Sequence, residues 1–329
     1  MKFVIVGAGA IGAYLGARMA RAGQDVTLFA RGPHLLAMQQ RGVRVLSPTG
    51  DFEAHPKVSG TLEEIGPAAV VILGVKAHGL TALAPRLGPL LAPDTTIVST
   101  QNGLPWWFFQ CDGGRYADLM PERLDPGRAI SGAIDFPRVV GSIVYFSTEI
   151  AEPGVIQHNE GDRISLGEPD GARSERCRAI AGALNAAGLH CPVTTHLREE
   201  IWVKLIGSAA FNPMSLLTGA TIGEMLRDPE MRVVVRAIMT EAEEIANALD
   251  VELPISIERR IAGAEKVGEH KTSMLQDFEA GRPMELDAII GAVADLGERL
   301  GLRIPHLRTV YACAKLMIEC RGRDRRAHL

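Results

Sequence analysis

The sequence predicts two domains, an α/β domain built on a parallel sheet and then an all-α domain. Three observations predict this order. The first half alternates short, β-branched apolar runs with helical segments, as in a parallel sheet that is buried on both faces. A GxGxxG motif separates the first such run from the first helix. Beyond His196, apolar residues recur at helical spacing nearly to the end.

Length and composition set the class of protein. The 329 residues suit two cores, because a domain usually holds roughly 100–200 residues. With 47% apolar and 22% charged residues, the composition is that of a globular protein. A net charge of −4 argues against a nucleic-acid partner, and no run reaches the roughly 18 apolar residues of a membrane span. The short basic run at the C-terminus is interpreted as a solvated chain end: Arg321, Arg323, Arg325, Arg326.

The five cysteines are an odd number, are widely scattered and form no CxxC pair. None has a histidine at metal-ligand spacing, so we expect free thiols and no metal site. The first residues, KFVIVGAG, are typical of a core strand and not of a signal peptide. The sequence therefore predicts a cytoplasmic protein.

The elements of the first domain follow in order. Its apolar runs predict four strands and one helix: Phe3–Val6, a helix over Ala10–Ala22, Val26–Phe29, Val70–Val75 and Ile97–Thr100. From 129 to 167, short strands and turns predict an antiparallel extension of the same sheet. Residues 173–187 form a further predicted helix, which Gly188 is placed to end.

Two stretches interrupt this alternation. Residues 104–128 are rich in Pro, Gly and aromatics, and predict a long loop or short helical excursion at the edge of the sheet. A polar stretch near Pro192–Thr195 contains a helix-breaking proline and predicts the domain boundary. The predicted domains are therefore residues 1–193, the α/β domain, and residues 194–329, the helical domain.

The GxGxxG motif consists of Gly7, Ala8, Gly9, Ala10, Ile11, Gly12. The first glycine permits a tight turn, the second lets the backbone approach a pyrophosphate, and the third allows close packing of the helix. The N-terminus of that helix adds N–H donors and partial positive charge. This context, a strand before the motif and a helix after it, predicts a Rossmann-type nucleotide site.

The end of the second strand indicates which dinucleotide binds. A domain that binds NAD usually carries Asp or Glu there, to hold the ribose 2′-hydroxyl. This chain has Ala30 and Arg31 instead. A guanidinium pairs with a 2′-phosphate through charge-assisted hydrogen bonds, so we predict NADP(H) as the cofactor.

Five motifs together resemble ketopantoate reductase, from the N-terminus to about residue 320. They are GAGAIG with Arg31, VILGVKAHG around Lys76, QNG around Asn102, IWVKL around Lys204, and the most specific, KTSMLQDFEAGRPMELD at 271–287. The resemblance implies a Rossmann domain packed on a helical domain, with substrate bound between them. It implies NADPH-dependent reduction of 2-dehydropantoate to (R)-pantoate, a step of pantothenate biosynthesis, and a homodimer through the helical domain.

The resemblance also implies roles for individual residues. It assigns the glycine motif, Arg31, Lys76 and Asn102 to the cofactor, with Asn102 also near the substrate. Lys204 becomes the catalytic residue and proton donor. Three residues match family positions that bind the substrate or close the ternary complex of enzyme, cofactor and substrate: Asn212, Ser273 and Glu285. Where the family has an asparagine four residues after the catalytic lysine, this chain has Ser208, which leaves the identity of the 2-keto acid open.

Chemistry supports a role for Lys204 independently. A hydride that reaches a keto carbon leaves negative charge on the oxygen, and this charge needs a proton donor or a cation. Lys204 lies in an otherwise apolar helix, where desolvation would lower its pKa. Lys204, Ser208 and Asn212 recur every four residues and therefore share one stripe, which apolar neighbours indicate is buried. Pro213 should kink or end this helix.

Glu285 follows Ser273 by twelve residues, with a predicted turn at AGRP between them. Its carboxylate could accept a hydrogen bond from the substrate hydroxyl or orient Lys204, which would make it the second catalytic residue. It could instead cap a helix that begins near Met284. We assign Asp277 and Asp287 to structural roles, and His78 is a candidate cleft residue.

Two other functions stay open. One is a reductase of the same mechanism that acts on a different small 2-keto acid, as Ser208 and the PWWFF segment allow. The other is a non-catalytic regulator that binds NADP. Lys204 and Glu285 argue against a regulator, because a sensor has no need of a proton donor.

Overall fold

The computed structural model describes residues 1–266 and 268–327 and divides the chain into two compact units. The first comprises residues 1–101 and 125–197, and the second 102–124 and 198–329. The sequence predicted one division at 193/194. The structure instead groups residues 102–124 with the helical unit, because this aromatic-rich segment buries its side chains there.

The first unit is α/β, as predicted. Its helices and strands are β1 (Lys2–Val6), α1 (Ala10–Arg21), β2 (Asp25–Phe29), α2 (Gly32–Arg41), β3 (Val43–Leu46), β4 (Phe52–Ala54), β5 (Lys57–Ser59), α3 (Leu62–Ile65), β6 (Ala68–Leu73), α4 (Ala77–Leu83), β7 (Leu91–Ser99), β8 (Val139–Val144), β9 (Ser147–Glu152), β10 (Val155–Glu160), β11 (Ile164–Gly167) and α5 (Glu175–Ala186). Gly188 follows α5 with a φ of 77°, in agreement with its predicted role as a helix stop.

A seven-stranded sheet forms the centre of this unit, in the order β11-β8-β7-β6-β1-β2-β5. Every neighbouring pair is parallel except β11 with β8. In register, Val4 of β1 lies opposite Thr27 on one side and Val71 on the other. Because β1 lies between β2 and β6, the strand order reverses beside it, which is where open α/β sheets bind ligands.

The prediction for residues 129–167 was right only in part. β11 does extend the main sheet in antiparallel direction, but β8 pairs with β7 in parallel. β9 and β10 belong to a second sheet of order β4-β3-β10-β9. Helix α1 packs against both sheets, and their apolar faces share one core with it. Local alternation of apolar residues predicts a strand but does not reveal its partner, so the second sheet was missed.

The second unit is helical, as predicted. Its helices are α6 (Leu197–Thr218), α7 (Ile222–Arg227), α8 (Pro229–Ala248), α9 (Ile257–Glu265), α10 (Ser273–Glu279), α11 (Ala292–Arg299) and α12 (Pro305–Ala327), and a π-helical turn at Asp287–Gly291 precedes α11. Helix α6 does not end at Pro213 but continues to Thr218. Its last turns bury Met214 and Leu216, and this burial offsets the helix hydrogen bond that the proline removes.

Residues 102–124 form short 3-10 turns, in agreement with the predicted short helical excursion, but the segment groups with the helical unit and not with the sheet. Trp106, Trp107, Phe108 and Phe109 are all buried. The ring of Phe108 meets that of Trp202 on α6 edge-on, with 6.3 Å between their centroids. Aromatic burial of this extent explains why the segment groups with the helices.

The C-terminal basic run lies on α12. The guanidinium of Arg321 lies 3.7 Å from the ring centroid of Phe278, while the side chains of Arg323, Arg325 and Arg326 lie outside the described residues. Within the described ranges, no helix is both long and apolar enough to cross a membrane.

Candidate functional site

The glycine motif lies in the turn between β1 and α1. Gly7 has a φ of 101°, which favours glycine, and its N–H donates to the carbonyl of Phe29 at 3.1 Å. A Cβ at Gly7 would strike the side chain of Val75, and one at Gly12 would strike the carbonyl of Gly7. Packing within the protein therefore requires the first and third glycines.

Gly9 differs from its two neighbours in the motif. It is the N-cap of α1, with a φ of −73°, and a Cβ there would meet no protein atom within 4 Å. No side chain caps the helix, and its first turn has no acidic residue. Open space in front of uncapped N–H groups is what a pyrophosphate needs, so the residues present fit a dinucleotide.

Arg31 follows the end of β2 and is the N-cap of α2. It is exposed and makes no ion pair with any described residue, and Ala30 occupies the preceding position, where an acid would bind the ribose. A guanidinium in this position fits a 2′-phosphate.

The end of β6 supplies the other side of this loop. A Cβ at Gly74 would lie 2.7 Å from the carbonyl oxygen of Gly7, so this glycine allows the two turns to approach each other. The side-chain amide of Gln101 donates to the carbonyls of Leu73 and Val75, at 2.8 and 2.9 Å. Neither Gly74 nor Gln101 was singled out from the sequence, although Gly74 lies in the VILGVKAHG motif and Gln101 in the QNG motif.

Two further residues of this unit were singled out from the sequence. Lys76 is the N-cap of α4, lies three residues after the end of β6 and is half-buried. His78 lies on the first turn of α4 and is exposed, so the structure adds no support for a cleft role.

Three polar side chains from distant parts of the chain meet in the second unit. The Nζ of Lys204, on α6, donates to Oδ1 of Asn102 at 2.7 Å. The Nδ2 of Asn102 in turn donates to Oε2 of Glu285 at 3.4 Å. Asn102 therefore links the cation to the carboxylate, because its amide has one accepting and one donating end. We call these three residues the Lys204 cluster.

Burial lowers the pKa of Lys204 to about 8, as predicted, and the negative charge of Glu285 opposes this shift. At neutral pH the amine is therefore mostly protonated, yet it loses its proton far more readily than an exposed lysine. A buried amine with such a pKa can act as a general acid.

The stripe of Lys204, Ser208 and Asn212 is partly buried, where burial was predicted. Asn212 is buried and Ser208 half-buried, and their neighbours Ala209, Ala210 and Phe211 have at most 5% of their surface exposed. Within the described part of the chain, neither polar side chain has a hydrogen-bond partner. Buried polar groups are usually paired, so these two fit contact with a small polar ligand.

Glu285 lies just before the π-helical turn. Its backbone carbonyl accepts from the N–H of Ile289 at 3.1 Å and so begins the helix, while its side chain contacts Asn102. The carboxylate therefore joins the Lys204 cluster, and the predicted helix start near Met284 is two residues early.

The remaining residues of the last motif lie on or beside α10. Ser273 is exposed on its first turn, and Thr272 is the helix N-cap. No contact described for Ser273 joins it to the Lys204 cluster. Asp277 pairs with Arg282 at 3.0 Å and Asp287 with Arg123 at 2.6 Å, in keeping with the structural roles assigned to both.

A dinucleotide loop at the strand-order reversal and a half-buried lysine with a lowered pKa define a class of protein, the nicotinamide-dependent oxidoreductases. Comparison with known proteins agrees. The family model for ketopantoate reductase PanE/ApbA matches residues 3–107, and the model for the C-terminal part of ketopantoate reductase PanE/ApbA matches residues 196–318.

Individual relatives match over nearly the whole chain. A 2-dehydropantoate 2-reductase of Mesorhizobium japonicum is 45% identical over 323 residues, which are 98% of this chain and 99% of that protein. A solved structure from Ralstonia solanacearum, described as a candidate ketopantoate reductase, has a TM-score of 0.92 at 36% identity and 98% coverage of both chains. The 2-dehydropantoate 2-reductase of Geobacter metallireducens has a TM-score of 0.85 at 29% identity, covering 96% of this chain and all of that one.

This chain belongs to the ketopantoate reductase family. It is an oxidoreductase that uses a nicotinamide cofactor, which is NADPH in this family.

Proposed function

We propose that this enzyme reduces 2-dehydropantoate to (R)-pantoate with NADPH, and that Lys204 donates the proton. One observation carries the proposal: a half-buried lysine with a pKa of about 8 is held by Asn102 in a cluster that also contains Glu285. The 45% identical relative from Mesorhizobium japonicum bears the name of this activity.

The reaction adds a hydride to the keto carbon and a proton to the keto oxygen. NADPH, when bound, would supply this hydride with its electron pair and would itself be oxidised to NADP⁺. The electron pair of the carbonyl π bond moves onto the oxygen, which takes a proton from Nζ of Lys204. The neutral amine then regains a proton from water. Asn102 holds the amine in place by accepting one of its hydrogens.

The other residues bind the two reactants. We assign the pyrophosphate to the glycine motif over Gly7–Gly12, the 2′-phosphate to Arg31, and further cofactor contacts to Lys76 and Asn102. We assign the substrate to the buried stripe of Ser208 and Asn212, with Ser273 and Glu285 closing the complex. We assign to Glu285 a hydrogen bond from the substrate hydroxyl, in addition to its contact with Asn102.

A substrate panel tests this proposal. NADPH consumption should be fastest with 2-dehydropantoate, measured as kcat/KM against a series of other small 2-keto acids. Preference for another acid would support the second candidate, a reductase of the same mechanism, which Ser208 favours because it replaces the family's asparagine. Stoichiometric NADPH binding without turnover of any 2-keto acid would contradict both.

We also propose that the enzyme acts in the cytoplasm as a homodimer through its helical unit. Five free cysteines support a reducing compartment, and the resemblance of the helical unit to the family supports the dimer. Sedimentation equilibrium tests the dimer, because it should report twice the 35.4 kDa chain mass.

A further inference from the structure

The π-helical turn Asp287–Gly291 has no role in the mechanism above. Its hydrogen bonding is wider than that of an α-helix, with the N–H of Ala292 donating to the carbonyl of Asp287. Such turns are rare and occur frequently at functional sites. This one begins two residues after Glu285.

Both ends of the segment 102–124 are fastened to this turn. At one end, the N–H of Leu104 donates to the carbonyl of Ala288 at 3.0 Å. Gly103, with a φ of 87°, lies so close that a Cβ would strike the same carbonyl. At the other end, Nη1 of Arg123 donates to Oδ1 of Asp287 at 2.6 Å.

Arg123 is the centre of a network of four side chains. It forms a bidentate pair with Asp295, at 2.6 and 2.9 Å, and Nη1 also donates to the hydroxyl of Tyr311 at 2.6 Å. That hydroxyl donates to Asp287 at 2.8 Å. Arg123 and Asp295 are each about three-quarters buried, with 24% and 23% of their side chains exposed. Loss of one partner from such a pair leaves a poorly solvated charge behind, unlike loss of a surface ion pair.

These contacts bear directly on the Lys204 cluster. Asn102 immediately precedes Gly103, and Glu285 is separated from Asp287 by one residue, so both ends of the 3.4 Å contact between Asn102 and Glu285 adjoin the turn. If the turn shifted, Asn102 would move relative to Glu285 and to Lys204. A misplacement of about 1 Å can cost a reaction a factor of roughly 10².

We propose that Arg123 is a positioning residue, which fixes the π-helical turn and thereby sets the spacing of Asn102, Glu285 and Lys204. This inference rests on the proposed reductase function. It assigns Arg123 no contact with the substrate, the cofactor or the reacting atoms.

The first test removes the guanidinium and keeps an apolar stem. Arg123→Met should lower kcat for the 2-keto acid at least tenfold and raise its KM, while the Kd for NADPH stays within about twofold. The matched control is Arg115→Met, which breaks an exposed ion pair between the same segment and Asp250, away from the turn. It should leave kcat within about twofold.

A conservative variant and a steric variant separate positioning from loss of fold. Arg123→Lys should recover part of the lost kcat, because an ammonium can still pair with one carboxylate. Gly291→Ala is compatible with the backbone, whose φ is −61°, but its Cβ would lie 2.9 Å both from Nη1 of Arg123 and from the ring of Tyr311, so the network around Arg123 must shift. It should lower kcat as Arg123→Met does. Gly263→Ala, where a Cβ meets nothing within 4 Å, should not.

Hydrogen exchange gives a readout that does not depend on turnover. In Arg123→Met and Gly291→Ala, amide exchange should accelerate in peptides covering 102–107 and 285–293, and in the two control variants it should not. Unchanged protection of those peptides, or normal kcat despite lost protection, would overturn this inference. A wild-type enzyme inactive on every 2-keto acid would overturn the proposed function, while the exchange data would still decide whether Arg123 holds the turn.

Discussion

The two regions that carry the chemistry are built in different ways. The nucleotide loop consists of six consecutive residues and requires glycine at three of them. A Cβ at Gly7 or Gly12 would strike other protein atoms, and a Cβ at Gly9 would occupy the open space in front of the helix. The Lys204 cluster uses three side chains separated by 102 and 81 positions in the chain, joined by hydrogen bonds of 2.7 and 3.4 Å. A motif can therefore specify the first region, whereas only the folded helical unit assembles the second.

This difference predicts that the two regions fail separately. Lys204→Ala should lower kcat by about 10²–10⁴, the usual contribution of a positioned general acid, because the methyl group of alanine has no proton to give to the alkoxide. The Kd for NADPH, measured by fluorescence titration, should hardly change. Lys315→Ala, an exposed lysine on α12, is the control and should keep normal kcat. Near-normal turnover by Lys204→Ala would remove the mechanism but leave the cofactor site standing.

The converse experiment changes the cofactor site alone. Arg31→Ala should weaken NADPH binding by on the order of 1–3 kcal/mol and leave NADH binding nearly unchanged, because only NADPH has a phosphate for the guanidinium. Arg44→Ala, an exposed arginine on β3, should affect neither cofactor. Equal losses for both cofactors would contradict the assignment of Arg31.

Within the loop, the glycines themselves should separate into two kinds. Gly9→Ala should leave Tm unchanged and weaken NADPH binding about tenfold, because its Cβ meets only the space proposed for the pyrophosphate. Gly12→Ala should weaken binding and also lower Tm, because its Cβ strikes the carbonyl of Gly7. Thermal melts with and without NADPH distinguish the two, and a lowered Tm in Gly9→Ala would show that the space is not open.

The smallest expected effect concerns substrate choice in the helical unit. Ser208→Asn restores the residue that the family resemblance leads us to expect one turn from Lys204. It should raise kcat/KM for 2-dehydropantoate several-fold relative to other 2-keto acids, since one added hydrogen bond contributes about 1 kcal/mol. A ratio that stays constant or falls would mean that Ser208 does not contact the substrate.

The same contrast explains what could be predicted from the sequence. The strand before Gly7, the helix after it and the lowered pKa of Lys204 follow from local pattern and were confirmed. The partners of β9 and β10 and the continuation of α6 through Pro213 were not predicted, because pairing and burial at those positions depend on distant residues. The family resemblance identified Asn102, Lys204 and Glu285 as site residues. Their spacing in the sequence does not show that Asn102 hydrogen-bonds to both of the others.

The segment 102–124 is the most instructive error. Its prolines, glycines and aromatics predicted a feature at the sheet edge, yet its aromatic residues 106–109 are buried and the segment groups with the helical unit. The acceptors of Arg123 lie more than 160 positions away in the chain, at Asp287 and Asp295. Composition indicated an irregular segment, but it could not indicate which unit the segment joins.

The pH dependence of kcat/KM tests most directly whether Lys204 supplies the proton. Because Lys204 must be protonated to donate, kcat/KM should fall as the pH rises through about 8, the pKa to which burial lowers this amine. Glu285→Gln removes the negative charge that opposes the lowering of the Lys204 pKa, so the fall in kcat/KM, the alkaline limb of the pH profile, should move to lower pH. In Lys204→Ala the limb should vanish from the residual activity. A limb near pH 8 that persists unchanged in Lys204→Ala would contradict the account.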